Sequence, residues 1–341
     1  MSSNNERSEA LARLNDLFGG DSQVSVNNKM LDRLLKATVD LIESDASSLD
    51  FKIATTTLEE MTRAFDMFAP YRDKPKVSIF GSARTTPENP IYGLTARTAK
   101  ALSDSGFMVV TGAGPGIMEA GMLGAGRENS IGVSIRLPFE TGANSVIAGD
   151  EKYVSMRYFF TRKLMLVKES QAFLCMPGGF GTLDETFELL TLAQTAKSVP
   201  VPIVFLEVPG DPFWTPLMDT MEPLLRRHGL ISDNDHTLYK IADSIDDAVN
   251  EIVGFYANYH SIRFVNDVMY LRMQREIPEE DFKALATEFA FLAADGFIEQ
   301  TAASGIEVKE ADHPELFRVT MRYAGKGFAS LRPFIDAINR Y

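Results

Sequence analysis

The residues best suited to chemistry stand in one short stretch, P-G-G-F-G-T-L-D-E, at 177 to 185. The stretch follows an apolar run and precedes a helical pattern, so its glycines lie where a strand turns into a helix. Backbone N–H groups at a helix start can hold an anion, and four amides are expected to bind phosphate. These are the amides of Gly178, Gly179, Gly181 and Thr182. A carboxylate beside a bound anion is repelled unless it acts on the reacting end of the ligand, which makes Glu185 the candidate catalytic residue.

The same residues allow a purely structural interpretation. Thr182 and Glu185 fit a T-x-x-E capping box, in which Thr182 binds the third helical amide and Glu185 binds the Thr182 amide. Such a cap stabilises a helix by about 1 kcal/mol. It does not account for the glycines before it, so the stretch alone leaves both interpretations open.

Two further glycine-rich turns follow predicted strands: F-G-S-A-R at 80 to 84 and T-G-A-G-P-G-I-M-E-A-G at 111 to 121. Glycine in one such turn can serve tight packing alone. Three turns converging on one sheet edge favour a nucleotide-like ligand. The candidate binding residues on these two turns are Ser82, Arg84, Gly114 and Glu119, and Glu119 is equally well an ordinary helix residue.

The helical segment Y-F-F-T-R-K-L-M-L-V-K, at 158 to 168, supplies two cations, Arg162 and Lys163. Its other residues are mostly apolar, which predicts a mostly buried helix. Arg162 carries a planar donor that suits a phosphate, a ribose or a purine, so it is the stronger functional candidate of the two. Lys163 is a candidate nucleotide-binding residue, although long basic side chains also reach solvent from such helices.

These motifs belong to a segment that alternates short apolar runs with helical patterns. The predicted strands are 77 to 80, 107 to 111, 131 to 135, one near Tyr153, 172 to 176 and 202 to 206. The predicted helices are 91 to 105, 116 to 129, 158 to 170, 182 to 195, 213 to 228 and 244 to 259. The pattern predicts an α/β fold with a Rossmann-like, doubly wound parallel sheet, whose ligands collect at the carboxyl ends of the strands.

The segments outside this sheet differ in character. Residues 1–27 are predicted to be a flexible polar arm with a short helix near 8 to 18, and 28–75 a helical extension. The predicted catalytic domain spans 76–260. Residues 261–341 read as a small α+β appendage, with alternation at 261 to 273 and 317 to 323 and helical patterns at 279 to 294 and 327 to 339. Because this appendage lacks glycine-rich turns and clusters of catalytic residue types, it is expected to serve oligomerisation or regulation.

Composition excludes several classes of protein. The formal net charge of −13 argues against a nucleic-acid partner. A single cysteine and four scattered histidines predict no disulfide framework and no metal site. The absence of a G-x-G-x-x-G fingerprint and of a P-loop disfavours a redox Rossmann enzyme and a P-loop ATPase. Without a secretory signal or a membrane span, the sequence reads as a cytoplasmic protein with no membrane partner.

The motifs resemble those of the LONELY GUY (LOG) family over about 75 to 255. P-G-G-F-G-T-L-D-E fits the family signature P-G-G-x-G-T-x-x-E, the Arg162–Lys163 pair stands where the family carries its arginine, and the other two turns follow the family's order. The two outer segments resemble the extensions of longer bacterial members. Family members have often been labelled lysine decarboxylases, but the sequence offers no Schiff-base lysine in a pyridoxal phosphate setting.

The resemblance implies a cytokinin riboside 5′-monophosphate phosphoribohydrolase that works without a metal or redox cofactor. Water would cleave the N-glycosidic bond of an adenine nucleotide, AMP or a cytokinin riboside monophosphate, to give free base and ribose 5-phosphate. It also implies a homodimer or higher homo-oligomer. In this reaction Glu185 would serve at C1′ and Arg162 at the ribose or base. The alternative is a nucleotide-sensing or carrier module, because the same turns can bind a nucleotide without cleaving it.

Overall fold

The computed structural model describes residues 28–137 and 142–341. The predicted polar arm at 1–27 and its short helix therefore lie outside the described residues. The chain divides into two compact units between Glu60 and Met61. The predicted helical extension contains helices α1 (Asn28–Glu43) and α2 (Ser48–Phe68). The domain limits drawn from the sequence remain predictions.

A seven-stranded parallel sheet forms the centre of the second unit. Its strands are β1 (Lys76–Phe80), β2 (Met108–Thr111), β3 (Ser130–Ile135), β4 (Tyr153–Met156), β5 (Ala172–Cys175), β6 (Ile203–Leu206) and β7 (Lys240–Ala242). They lie in the order β4-β3-β2-β1-β5-β6-β7. The chain therefore builds outward from β1 to β4 and then returns to place β5 on the other side of β1. In such sheets ligands bind in the crevice where this reversal occurs, at the carboxyl ends of β1 and β5.

Both faces of the sheet are buried, because successive side chains of each strand enter different cores. Val110 and Phe173 pack in one hydrophobic cluster. Their neighbours Val109 and Leu174 pack in another. This explains why the strands read as continuous apolar runs rather than as alternating ones. The predicted Rossmann-like α/β fold is confirmed.

Helices follow the strands in sequence. They are α3 (Pro90–Asp104), α4 (Ile117–Ala125), α5 (Phe159–Lys168), α6 (Phe180–Gln194), α7 (Trp214–Arg227) and α8 (Ile245–Gly254). Each overlaps a predicted helix. The sequence missed β7, because three residues are too few for a period to show.

A four-stranded antiparallel sheet with short helices forms the C-terminal part. Its strands are β8 (Tyr259–Val265), β9 (Val268–Met273), β10 (Ala293–Thr301) and β11 (Phe317–Tyr323), in the order β10-β11-β9-β8. Its helices are α9 (Glu279–Glu288), α10 (Gly305–Glu310) and α11 (Arg332–Ile338). The sequence missed β10, whose pairing with β11 shifts register between Ala293 and Ile298, where Gly296 takes a positive φ of 76°. That irregularity disturbs the alternation by which a strand is recognised. None of the described helices is long and apolar enough to cross a membrane.

Candidate active site

The first two glycine turns interlock at the carboxyl edge of the sheet. The Ile117 amide, at the start of α4, donates to the Ser82 carbonyl oxygen at 3.0 Å. Gly116 has a positive φ of 69°, and a Cβ there would lie 2.4 Å from the same carbonyl oxygen. Gly116 is therefore required by the protein's own packing. The contact holds the turn after β1 against the turn after β2.

The Ser82 hydroxyl accepts a hydrogen bond from the Arg84 amide at 3.1 Å. This is a local turn of the kind that serine commonly forms. The Arg84 side chain is exposed and Ser82 is half-buried. The structure thus gives Ser82 a role in shaping the first turn, and its contact with a ligand remains a prediction.

Arg162 lies at the meeting point of three elements. Its Nε donates to the Val133 carbonyl oxygen of β3 at 3.1 Å. Its guanidinium also lies against the second glycine turn, because a Cβ at Gly112 would be 2.2 Å from Nη2 of Arg162. The third contact is with Glu185 on α6, whose Oε1 accepts from Nη1 of Arg162 at 2.9 Å. Helix α5, β3, the second turn and α6 are therefore joined through one side chain.

Arg162 and Glu185 form a largely desolvated ion pair, with side chains 9% and 12% exposed. Burial raises the pKa of Glu185 above its usual value, and the charge and hydrogen bond of Arg162 partly oppose this rise. A carboxyl with a raised pKa is suited to exchange a proton near neutral pH, and such groups cluster at functional sites. Among the sequence candidates, these two have the geometry of a reactive pair.

The capping-box interpretation of Thr182 and Glu185 is wrong. Helix α6 begins at Phe180, and its N-cap is Gly179, which makes no side-chain cap. Thr182 is therefore the third helical residue, and it is buried. Glu185 lies too far into the helix to reach the first amides. A capping box does form at the start of α10, where it joins Ser304 to Glu307.

The start of α6 offers backbone amides without a side-chain cap. Its first intrahelical bond runs from the Leu183 amide to the Gly179 carbonyl, at 3.0 Å. The amides of Phe180, Gly181 and Thr182 precede that bond and have no partner within the helix. Phe180 was not among the predicted amides, because the sequence placed the helix start two residues later.

The three glycines of this turn differ in what the protein requires of them. A Cβ at Gly178 would lie 2.2 Å from Oγ1 of Thr182, so the protein's packing demands glycine there. A Cβ at Gly179 or Gly181 would meet nothing within 4 Å. Glycine also disfavours helix formation, so Gly181 weakens the first turn of α6. Close approach of a ligand to the backbone gives a physical reason for these two glycines.

The next helix along the sheet provides a contrast. Oε2 of Glu207 accepts from the amides of Phe213, Trp214 and Thr215 at 2.9, 2.6 and 3.1 Å. Burial acts to raise the pKa of Glu207, but these hydrogen bonds outweigh it and lower the pKa. The start of α7 is thus occupied by the chain's own carboxylate. Helix α6 has no such side-chain cap.

Lys163 is engaged by two carboxylates of α6. Its Nζ lies 3.2 Å from Oδ2 of Asp184 and 2.6 Å from Oε2 of Glu188. Burial acts to lower the pKa of Lys163, but the bonds to these carboxylates outweigh it and raise the pKa. Lys163 thus joins α5 to α6 and keeps its charge. Its predicted contact with a nucleotide stays a prediction.

The predicted burial of helix α5 is only half right. Thr161, Arg162, Met165 and Leu166 are buried. Phe159, Phe160 and Leu164 are 55%, 51% and 44% exposed. Arg162, the cation predicted to interrupt an apolar helix, is therefore buried, whereas three of the apolar side chains of the helix are exposed to solvent. Phe180, the first residue of α6, is 93% exposed.

Two residues at the site were missed by the sequence reasoning. The Tyr92 hydroxyl donates to Oε2 of Glu119 at 3.4 Å, across 27 positions of the chain. Nδ2 of Asn144 donates to the Gly114 carbonyl oxygen at 3.0 Å. Both lie outside the glycine motifs, and no local pattern marks a side chain whose partner is distant in sequence. Glu119 is half-buried on the first turn of α4, where the sequence had placed it.

Within 28–137 and 142–341, no group of three or more His, Cys, Asp or Glu side chains could hold a metal ion. Cys175 is buried in β5, and burial raises the pKa of its thiol to about 12. Reactive cysteines are thiolates, which this environment disfavours.

A family model described as "Possible lysine decarboxylase" matches residues 115–252. These residues include α5, α6 and the third glycine turn. The model is that of the LOG family, and the match falls within the segment whose motifs resemble that family. No curated protein matches the chain significantly.

Several solved structures are similar to about half of this chain. The structural-genomics target TM1055 is 21% identical, with 52% of this chain and 96% of that chain covered and a TM-score of 0.36. The molybdenum cofactor carrier protein from Chlamydomonas reinhardtii is 18% identical, with 52% and 94% covered and a TM-score of 0.36. DNA processing protein A from Helicobacter pylori is 18% identical, with 55% and 90% covered and a TM-score of 0.37. No conclusion about function follows from likenesses this low.

Proposed function

We propose that this protein hydrolyses the N-glycosidic bond of an adenine-type nucleoside 5′-monophosphate, AMP or a cytokinin riboside monophosphate. The products are the free base and ribose 5-phosphate. The observation that carries the proposal is the buried ion pair between Arg162 and Glu185 at the carboxyl edge of the sheet. Glu185 belongs to α6, whose first amides have no side-chain cap. This arrangement combines a carboxylate, a planar cation and an anion site at one sheet edge.

The 5′-phosphate lies at the start of α6 in this proposal. The amides of Phe180, Gly181 and Thr182 face a bound anion at the positive end of the helix dipole. Gly179 and Gly181 leave the backbone open to close approach, since a Cβ at either would contact no protein atom within 4 Å. Gly178 shapes the turn by packing against Thr182.

Glu185 acts at C1′ of the ribose. Departure of the base leaves positive charge on C1′ and the ring oxygen, which an ionised carboxylate stabilises. The same carboxylate takes a proton from the attacking water as the new C–O bond forms. Burial, which raises the pKa of Glu185, makes this carboxylate a stronger base than an exposed glutamate.

Arg162 orients Glu185 and serves the leaving base. Its bonds to the Val133 carbonyl and to Glu185 fix the plane of the guanidinium. In the proposed complex the guanidinium contacts the base or ribose and stabilises the negative charge that develops on the departing base. The base then takes up a proton, and Glu185 releases the one it took from water, which completes the hydrolysis. The reaction is a hydrolysis, so it requires no electron transfer, and the proposed steps use only side chains and amides of the chain.

Glu119, Gly114 and Ser82 form the proposed ribose and base side of the site. Glu119 can accept hydrogen bonds from ribose hydroxyls, and Tyr92 orients it. The backbone of Gly114 is held by Asn144, and that of Ser82 by Ile117. Because the three residues lie on interlocked turns, their spacing is set by the fold rather than by the ligand.

We also propose that the protein works in the cytoplasm as a homodimer or larger homo-oligomer. The exposed apolar side chains of Phe159, Phe160 and Phe180 support an oligomer, because association would remove apolar surface from water. The net charge of −13 supports the absence of a nucleic-acid partner.

The second candidate is a nucleotide-sensing or carrier module on the same fold. One observation favours it: Oε1 of Glu185 accepts a hydrogen bond from Arg162, and this bond stabilises the ionised carboxylate and makes it a weaker base. A protein of this kind would hold the nucleotide intact. The lysine decarboxylase of the family description is not proposed, because Lys163 is bound by carboxylates and no pyridoxal phosphate setting surrounds it.

Mass spectrometry of the products separates the two candidates. Pure protein is incubated with a panel of nucleoside 5′-monophosphates and with the matching nucleosides. Release of free base from the monophosphates alone supports the hydrolase, and binding of AMP without cleavage supports the carrier. Glu185→Gln is expected to retain binding and lose turnover by about 10² or more. Asp184→Asn is the matched control, because the same chemical change is made one residue away at an exposed side chain. Equal turnover by wild type and Glu185→Gln would rule out the assigned role.

A further inference from the structure

Helix α6 is held at both ends by different parts of the chain. Its first turn carries the proposed phosphate site, and its second turn carries Glu185. Its fifteen residues place its last turn about 20 Å away, at 1.5 Å per residue. At that last turn the Ala193 carbonyl accepts a hydrogen bond from the Phe328 amide at 3.2 Å. Residues 327–329, which we call the C-terminal clasp, thus bind the end of α6 opposite to the site.

Gly327 makes the closest contact of the clasp. A Cβ at Gly327 would lie 1.9 Å from the Gln194 carbonyl oxygen and 2.7 Å from its carbonyl carbon. These are backbone atoms, so the contact cannot be relieved by a side-chain rotation. Gly327 has no positive φ, and its identity is therefore set by the approach of α6 alone.

The clasp joins two hydrophobic cores. Ala329 packs in the cluster that contains Leu189 and Ala193 of α6. Its neighbour Phe328 packs in the core of the C-terminal sheet. The Ala329 carbonyl also accepts a hydrogen bond from the Thr237 hydroxyl at 2.6 Å. A shift of the C-terminal sheet would therefore be transmitted to the last turn of α6, because packed cores deform little.

We propose that the C-terminal clasp positions Glu185 by fixing the far end of α6, and that Gly327 is a positioning residue for the proposed reaction. The kinetic part of this inference rests on the proposed hydrolase function. The structural part, that the clasp sets the order of α6 at the site, does not depend on any activity. The C-terminal sheet is then a support for the catalytic helix.

Gly327→Ala tests the inference, with Gly305→Ala as its control. Gly305 lies in the same C-terminal part, and a Cβ there would meet nothing within 4 Å. In Gly327→Ala, hydrogen exchange of the amides at 183–190 is expected to be roughly threefold faster or more. Turnover is expected to fall roughly tenfold, with KM changed less than about twofold, because a small displacement of a reacting group costs much rate. Gly305→Ala is expected to match wild type in both measurements.

The pH profile separates positioning from a general loss of folded protein. Unfolding of a fraction of the molecules lowers kcat but leaves its pH dependence unchanged. Displacement of Glu185 from Arg162 changes the pKa of Glu185, which governs the fall of activity at acidic pH. We therefore expect this acid limb of the pH profile to move in Gly327→Ala. Thr237→Val provides a milder test if Gly327→Ala fails to fold, since it removes only the hydroxyl bound to Ala329.

Unchanged exchange at 183–190 in folded Gly327→Ala and in Thr237→Val would overturn the inference. If wild-type protein releases no base from any monophosphate, the proposed function fails. The exchange experiment still decides the inference in that case, because it is performed without substrate.

Discussion

Nη1 of Arg162 lies 2.9 Å from Oε1 of Glu185, although the two residues are 23 positions apart and belong to different helices. Gly112 permits this contact, because any larger residue there would displace the guanidinium. The pair thus depends on three segments of the chain. Its position next to the start of α6 is what turns a buried ion pair into a candidate active site.

The acid limb of the activity profile is expected above the usual pKa of glutamate. Burial raises the pKa of Glu185, and the reaction needs the ionised carboxylate, so kcat/KM falls as pH drops through the raised pKa. Arg162 lowers this pKa, so Arg162→Gln is expected to move the limb to higher pH and to reduce kcat. Asp184 raises it, so Asp184→Asn moves the limb slightly lower with turnover retained. A limb that stays in place in Arg162→Gln would exclude Glu185 as the titrating group.

Gly112→Ala is expected to disrupt the Arg162–Glu185 pair. The added Cβ would stand 2.2 Å from Nη2 of Arg162, so the guanidinium must move. We expect turnover to fall roughly tenfold or more, and the free energy of unfolding by about 1–3 kcal/mol. Gly254→Ala is the control, because a Cβ there meets nothing within 4 Å. Turnover equal to that of Gly254→Ala would show that the pair's geometry is not needed.

Substitutions of two glycines of the third turn are expected to weaken ligand binding without destabilising the fold. Neither Gly179→Ala nor Gly181→Ala should lower the melting temperature, because the protein offers no steric conflict, and Gly181→Ala should raise it slightly because alanine favours the helix. Both should weaken binding of AMP, measured by calorimetry, through contact with the phosphate. Adenosine is the control ligand, since it lacks the phosphate and its affinity should not change. AMP affinity equal to wild type in both variants would contradict the proposed phosphate site.

Gly178→Ala, in contrast, is expected to lower the stability of the folded protein. Its Cβ would lie 2.2 Å from Oγ1 of Thr182, inside the first turn of α6. Overpacking of this kind lowers the free energy of unfolding by about 1–3 kcal/mol. Thermal unfolding measures it, and a melting temperature equal to that of Gly179→Ala would contradict the packing argument.

Glu307 is expected to anchor the C-terminal sheet. Its side chain is fully buried and bonds Arg272 at 2.8 Å and Arg318 at 3.3 Å. Burial acts to raise the pKa of Glu307, but hydrogen bonds from Ser304, Arg272 and Arg318 outweigh it and lower the pKa to about 2. Because the folded pKa is depressed, the stabilisation is present at neutral pH and is lost as pH falls from about 4.5 towards 2.

Glu307→Gln should therefore destabilise the protein by about 3–5 kcal/mol at neutral pH. The difference in unfolding free energy between the variant and wild type should become smaller at acidic pH. Glu310→Gln is the control, because that side chain is 54% exposed and its pair with Arg263 contributes at most about 1 kcal/mol. Thermal unfolding from neutral to acidic pH measures both. A Glu307→Gln effect no larger than that of Glu310→Gln would show that the network adds no stability.

The regular part of the fold was predictable because its signals are local. Strands β1 to β6 and helices α3 to α8 appear where apolar periodicity placed them. The signal failed where an element is too short, as in β7, or irregular, as in β10. It also failed at the start of α6: the T-x-x-E pattern favoured Thr182 as the cap, but the backbone turns helical at Phe180.

The sequence by itself determined the three glycine turns, their order along the chain and the residue types that could act there, because each depends on neighbours within a few positions. Only the tertiary structure decided which of these turns and side chains come into contact. The reversal of strand order beside β1 brings the turns after β1 and β5 to one crevice. Packing buries Arg162 against Glu185, whereas Lys163, the adjacent cation, pairs with Asp184 and Glu188. The two cations stand next to each other in the chain, and only the tertiary structure decides which carboxylates each of them contacts.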